Sequence, residues 1–234
     1  MSGRVRGLFV TGTDTGIGKT VVAAAMAAVL IARGERVAAW KPALTGLDEP
    51  VDPGWPRDHE LLAAITGQSP SDVTPHRFGP AVSPHFAAEM MGSRLNPLAL
   101  VASAHEAAEG SNMMIAEGVG GLLVPLVEGY SVRDLARELA LPLVIAARPG
   151  LGTINHTLLT VEAARSAGLE VAGVVLTPWP DSPSAMEESN RTTIAEIGDV
   201  DVAMLPRVLS ASVDELARFG AELPLERWLD LGRF

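Results

Sequence analysis

Five short, almost uninterrupted apolar runs constrain this chain more than any other feature. They are "GLFVT" (7–11), "RVAAW" (36–40), "MMIA" (113–116), "LVIAA" (143–147) and "VAGVVL" (171–176), with helically spaced segments between or after them. A strand that is apolar on both faces has to be covered on both faces, and strand–helix alternation supplies that cover in a parallel sheet. The expected fold is α/β, a mainly parallel sheet with helices on both faces. Lys19 to Arg33 reads as a helix stopped by Gly34, and Asn96 with Pro97 reads as the N-cap and first residue of a helix to about Glu109. Leu47 to Ser83 breaks the pattern. It is rich in Pro, Gly and Asp and reads as a long excursion carrying one helix, at "DHELLAAI". No linker and no internal repeat divides the chain, so residues 1–234 read as one domain.

Aromatic residues make up only 4% of the sequence, so the core must be built from Ala, Val, Leu, Ile and Met. Eighteen basic against twenty-eight acidic side chains give a net charge of -10, which opposes binding to nucleic acid or an anionic membrane surface. A nucleotide site in such a chain needs concentrated local positive potential. The absence of cysteine excludes disulfides, thiolate nucleophiles and Cys-built metal centres. The longest apolar stretch, Val21 to Ala32, falls short of the ~20 residues that cross a bilayer. "MSGRVRGLFV" is too short in its apolar part for a secretory signal, so a cytoplasmic location is expected.

"GTDTGIGKT", Gly12 to Thr20, joins the first apolar run to the first helix. Glycines let successive N–H groups turn toward an anion, and the helix N-terminus adds positive potential. The loop Thr13, Asp14, Thr15, Gly16, Ile17 and Gly18 therefore reads as a phosphate cradle, with Lys19 reaching the β/γ-phosphates and Thr20 ligating magnesium. Five residues, Thr13 to Ile17, separate Gly12 from Gly18, one more than the usual pattern has. Asp14 stands where partition ATPases carry a second loop lysine, and the "NKxD" base-reading motif of GTPases is absent.

Further groups should reach the same strand edge. Lys41, in "WKPALTG", follows the second run and should face the phosphates held by Lys19. Glu117, in "AEGVGG", ends the third run, where P-loop proteins place a magnesium ligand or water-orienting group. Asp58, opening "DHELLAAI", is a second candidate ligand, with Asp48 and Asp52 competing and a plain helix N-terminal charge as the alternative. "GLGTINHTLLT" (150–160) again joins a strand to a helix, and its amides could receive a second anion such as a substrate carboxylate. His156 in it is more readily a helix-face residue than a catalyst.

Five ordered segments, "VTGTDTGIGKT" (10–20), "KPALTG" (41–46), "SPHFAA" (83–88), "EGVGGLLVPL" (117–126) and "GTINHTLLT" (152–160), together resemble the dethiobiotin synthetase family. The longer loop spacing is that family's own form. The resemblance implies a single-domain P-loop fold, a homodimer, and use of ATP, Mg2+ and CO2 to convert 7,8-diaminopelargonic acid to dethiobiotin. It implies that Lys19 and Thr20 bind phosphate and magnesium, that Lys41 neutralises the carbamate and moving phosphoryl, and that Asp58 and Glu117 complete the metal site. Thr15, Thr45, Ser83 and Pro84 would lie near the substrate. Gly152, Thr153, Ile154 and Asn155 would receive its carboxylate from the partner subunit. Thr177 stands where better-known members place an adenine-reading asparagine, so other nucleoside triphosphates could serve. Asn190 stands where some have a substrate-contacting tyrosine. Two alternatives remain beside this reading: another amidoligase or kinase of the same branch, and a nucleotide-dependent switch that binds a protein.

Overall fold

The computed structural model describes residues 5–52 and 54–230. In chain order its elements are β1 (Arg6–Gly12), α1 (Lys19–Ala32), β2 (Val37–Trp40), β3 (Ala43–Leu44), α2 (Asp58–Thr66), α3 (Pro70–Val73), β4 (His76–Arg77), α4 (Pro84–Met90), α5 (Pro97–Ala107) and β5 (Met113–Glu117). There follow β6 (Pro125–Val127), β7 (Tyr130–Ser131), α6 (Val132–Leu139), β8 (Leu143–Ala147), α7 (Thr153–Ser166), β9 (Val171–Trp179), α8 (Ala185–Gly198), β10 (Val202–Pro206), α9 (Val213–Gly220) and α10 (Leu225–Asp230).

Six of the described strands form a parallel sheet in the order β10-β9-β8-β1-β5-β2, and the other four form two small pairs, β3 with β4 and β6 with β7. All five apolar runs are strands of the six-stranded sheet. Alternation along β1 divides the core. Leu8 and Val10 pack on one face with α1, α2, α9 and α10, while Phe9 packs on the other with α5 and α6. A third cluster joins Ile145 and Val174 to Val161 of α7 and Ile194 of α8.

The alanine-rich α1 is buried along nearly its whole length. Small side chains permit this, because neighbouring backbones can then approach closely: a Cβ placed on Gly220 of α9 would lie 2.5 Å from the Ala25 carbonyl oxygen. A methyl there would drive the two helices apart.

Two expectations need correction, and one strand went unread. Leu47 to Ser83 carries two helices, α2 and the four-residue α3, and β4, which pairs with β3. The helix opened by Asn96 ends at Ala107, two residues before Glu109, and the Asn96 side chain does cap it by accepting from Ala99 N–H at 3.2 Å. The edge strand β10 is the sixth of the sheet, and its sequence, VAMLP, is a sixth apolar run, not among the five singled out above. Its burial alternates, and alternation is what one covered face dictates.

From β1 the chain reaches β2 on one side, returns to insert β5 between them, and then crosses to build β8, β9 and β10 on the other. Ligands of open α/β sheets lie outside the carboxyl ends of strands at such a reversal. That locates the site beside the end of β1. Among the described residues no helix is long and apolar enough to cross a membrane.

Candidate active site

β1 ends at Gly12, and the chain curls through Thr13–Gly18 before α1 begins at Lys19. Gly18, the N-cap, has φ +95°, a left-handed conformation that an L side chain rarely adopts. A Cβ there would also lie 3.0 Å from the Thr177 methyl carbon, so glycine is required twice over. The loop is tied to its surroundings at both ends, by Thr13 N–H donating to the Ala146 carbonyl (3.1 Å) and Val22 N–H to that of Gly18 (3.0 Å).

At the centre stands a buried ion network. The Lys41 ammonium contacts Asp58 Oδ2 and donates to Glu117 Oε1 at 2.7 Å, and the Thr20 hydroxyl donates to the same Glu117 oxygen at 3.0 Å. Lys41 is 4% exposed and Glu117 fully buried, while Asp58, at the start of α2, keeps 38% of its side-chain surface. Lys19 Nζ donates to the Asp14 carbonyl at 2.8 Å and is buried too.

Burial disfavours charge on each of these groups, and their neighbours decide the outcome. Burial opposes the Lys41 ammonium, yet the Asp58 and Glu117 carboxylates outweigh it and raise its pKa above the ordinary value. Burial also opposes ionisation of Asp58, but Lys41 beside it holds that carboxyl below its usual range. For Glu117 burial prevails over the pull of Lys41, with Asp58 adding repulsion, and the pKa rises. Lys19 is lowered by burial, with Glu117 opposing and Lys41 reinforcing the shift.

Glu117 Oε2 is buried with no hydrogen-bond partner. An orphaned carboxylate oxygen in an ion network is costly unless a cation completes it. Among the described residues no three His, Asp or Glu side chains gather as a metal cluster. Two carboxylates and one hydroxyl do suit magnesium, which keeps several waters and takes phosphate oxygens as ligands. The residues present fit the ion.

A cavity of about 820 Å³ opens on this network. Thr15, Gly16, Gly18, Lys19 and Thr20 border it, as do Lys41 and Glu117. Thr45, Asp58, Ser83 and Pro84 supply the facing wall. Of the three candidate aspartates, Asp58 borders the cavity and Asp48 and Asp52 are not among its lining residues. Asp52 instead accepts from Gly54 N–H at 2.9 Å, and Asp48 lies against Gly79. Sequence reasoning missed Glu49, Trp55 and Val82 on the cavity wall. All three lie in irregular segments, where no periodicity marks which side chains point inward.

Other expected residues lie outside this cavity. Gly152 caps α7 with φ +91°, and Thr153, Ile154 and Asn155 form that helix's first turn. None of the four borders the cavity within one chain. Thr177 is 3% exposed near the end of β9 and packs beneath Gly18. Asn190 is buried on α8, and its amide donates to the Pro149 (2.9 Å) and Gly150 (3.3 Å) carbonyls. It fastens the turn that leads into α7. His156 is exposed on α7, with its carbonyl accepting from the Thr160 hydroxyl at 2.8 Å.

A family model described as an AAA domain matches residues 6–213. Over 200 residues the chain is 38% identical to the ATP-dependent dethiobiotin synthetase of Bacillus subtilis (strain 168), covering 85% of each chain. It is 40% identical over 213 residues to that of Rhodococcus erythropolis, covering 89% of this chain and 92% of the relative. For Anaeromyxobacter dehalogenans the identity is 44% over 184 residues, covering 77% and 81%. Among solved structures, chloroplast FtsY from Physcomitrella patens matches with a TM-score of 0.53 at 15% identity, covering 100% of this chain and 67% of that one. A ParA family ATPase from Chlorobium tepidum matches with 0.52 at 13%, covering 97% and 98%. At such identities these two share the fold alone.

Proposed function

We propose, for a chain that belongs to the ATP-dependent dethiobiotin synthetase family, that the cavity beside the Gly12–Thr20 loop closes the cyclic urea of dethiobiotin. The reaction joins 7,8-diaminopelargonic acid and carbon dioxide with cleavage of ATP to ADP and phosphate. One amine of the substrate takes up carbon dioxide as a carbamate. The γ-phosphoryl passes to a carbamate oxygen, and the second amine attacks that carbon and expels phosphate.

One observation carries this reading. Lys19 and Thr20 of α1, Lys41 after β2, Asp58 of α2 and Glu117 of β5 meet at one strand edge of an acidic chain. Phosphoryl transfer needs little covalent help from a protein; it needs positioning and neutralisation of charge. The loop Thr13–Gly18 receives the polyphosphate, and Lys19 turns from the Asp14 carbonyl to the β/γ-phosphates. Lys41 is fully protonated at neutral pH, so it can neutralise both the carbamate and the moving phosphoryl. Thr20, Asp58 and Glu117 would hold magnesium, which spreads the negative charge of the triphosphate. Thr45, Ser83 and Pro84 form the acceptor wall, with Thr15 at its phosphate end.

The functional unit is a homodimer in this reading. Gly152–Asn155 do not border their own chain's cavity, and the amides at the start of α7 suit a carboxylate presented by a partner subunit's substrate. Thr177 is packed against the loop with a single hydroxyl, which supports a modest preference among nucleotide bases. A nucleotide switch is not favoured, because the relatives that this chain matches over most of its length are dethiobiotin synthetases.

The direct test is nucleotide turnover with each substrate omitted in turn. ADP release should require diamine, bicarbonate and Mg2+ together. Equal hydrolysis without diamine would remove the synthetase reading.

A further inference from the structure

Arg57 belongs to none of the groups assigned above, yet it ties together two segments of the cavity's facing wall, the chain after Thr45 and the start of α2. It is the N-cap of α2, immediately before Asp58, and its own N–H donates to Glu60 Oε2 at 3.0 Å. Its side chain turns away from the helix. Nη1 donates to the Gly46 carbonyl (3.2 Å), and Nη2 donates to those of Leu47 (2.8 Å) and Glu49 (3.1 Å). The same segment is held on its other side by main-chain bonds: Gly46, Leu47 and Asp48 N–H donate to the Pro80, Phe78 and Gly79 carbonyls. Among the described residues the guanidinium supplies the hydrogen bonds that tie the Gly46, Leu47 and Glu49 carbonyls, beside the acceptor wall, to the start of α2.

We propose that Arg57 is a positioning residue: by gathering three carbonyls of the 46–49 segment it sets the spacing between Thr45 and the Asp58–Lys41 pair, and so the affinity for the diamine. A planar fork with five donors can serve three carbonyls at once, whereas a lysine ammonium is a compact point charge with no such fork. The proposal rests on the synthetase reading of the cavity, but the latch itself does not.

The test compares Arg57→Gln and Arg57→Lys with the wild type. Arg57→Gln should raise KM for the diamine about tenfold while kcat and KM for ATP stay within about twofold, the signature of lost ground-state binding. Arg57→Lys should recover only part of that loss. An unchanged diamine KM, or a lysine variant equal to wild type, overturns the proposal. A wild-type protein without diamine-dependent turnover would instead overturn the parent reading, and hydrogen exchange then decides the latch. The amides of Gly46, Leu47 and Asp48 should exchange about tenfold faster in Arg57→Gln. Unchanged exchange overturns it. Should Arg57→Gln fail to fold, Arg57→Lys carries both measurements.

Discussion

Lys41 Nζ lies 2.7 Å from Glu117 Oε1, and neither side chain is more than 4% exposed. Glu117 ends β5, and Lys41 directly follows the adjacent parallel strand β2, where the chain leaves the sheet. An ion pair sealed in this way costs desolvation that only a precise geometry returns, so its value is better sought in the reaction than in stability.

The first prediction concerns that pair. Lys41→Met removes the cation that Asp58 and Glu117 share, leaving a buried carboxylate unpaired, and should lower stability by about 3 kcal/mol. It should lower kcat roughly 100-fold, the scale expected for one preorganised charged donor. The two carboxylates are then free for another cation, so Mn2+ measured by electron paramagnetic resonance without nucleotide should bind more tightly than in the wild type. Weaker Mn2+ binding would show that Lys41 and the metal do not share ligands.

Lys19 gives a pH dependence. Burial lowers its pKa below the ordinary 10.5, so the free enzyme loses this charge at lower pH than an exposed lysine would. The kcat/KM for ATP reports the free enzyme and should begin to fall before the exposed-lysine range is reached. Lys41 is shifted upward and should leave no limb there. Lys19→Ala should abolish turnover. A profile flat through pH 10.5, the ordinary lysine value, would remove Lys19 from phosphate binding.

The strand framework was legible because strands covered on both faces have to be continuously apolar. β10 went unread although VAMLP is equally apolar, because a short apolar run by itself does not separate a strand from a buried helix segment. The meeting of Lys19, Lys41 and Glu117 followed from parallel strands ending at one edge, even though Lys41 and Glu117 are 76 residues apart in sequence. Arg57 and Asn190 left no comparable trace. Both bond main-chain carbonyls, which every residue carries, so no partner residue type marks them in a sequence.

Asn190→Ala should loosen the turn before α7. It deletes donors to two carbonyls at a buried position and should cost about 1–2 kcal/mol in denaturant unfolding. If the partner's α7 receives the substrate carboxylate, KM for the diamine should rise as well, with KM for ATP little changed. Stability lost without any rise in diamine KM would confine Asn190 to scaffolding.

The packing of Thr177 beneath Gly18 bears on nucleotide choice. One threonine hydroxyl discriminates weakly among bases, so kcat/KM for ATP should exceed that for CTP or GTP by less than about tenfold. A ~100-fold preference, about 2.7 kcal/mol, would mean that another group reads adenine.

The central claim is that the Lys19–Lys41 edge delivers a phosphoryl group to a carboxylated amine. Its most direct measurement follows carbon-labelled bicarbonate through a reaction with diamine, Mg2+ and ATP, with separation of the products by mass. The account predicts one labelled carbon in a cyclic urea for each ADP formed, and roughly 100-fold slower formation of that product with Lys41→Met at equal protein concentration. ADP formed in step with the diamine but with no label in a ring would contradict it.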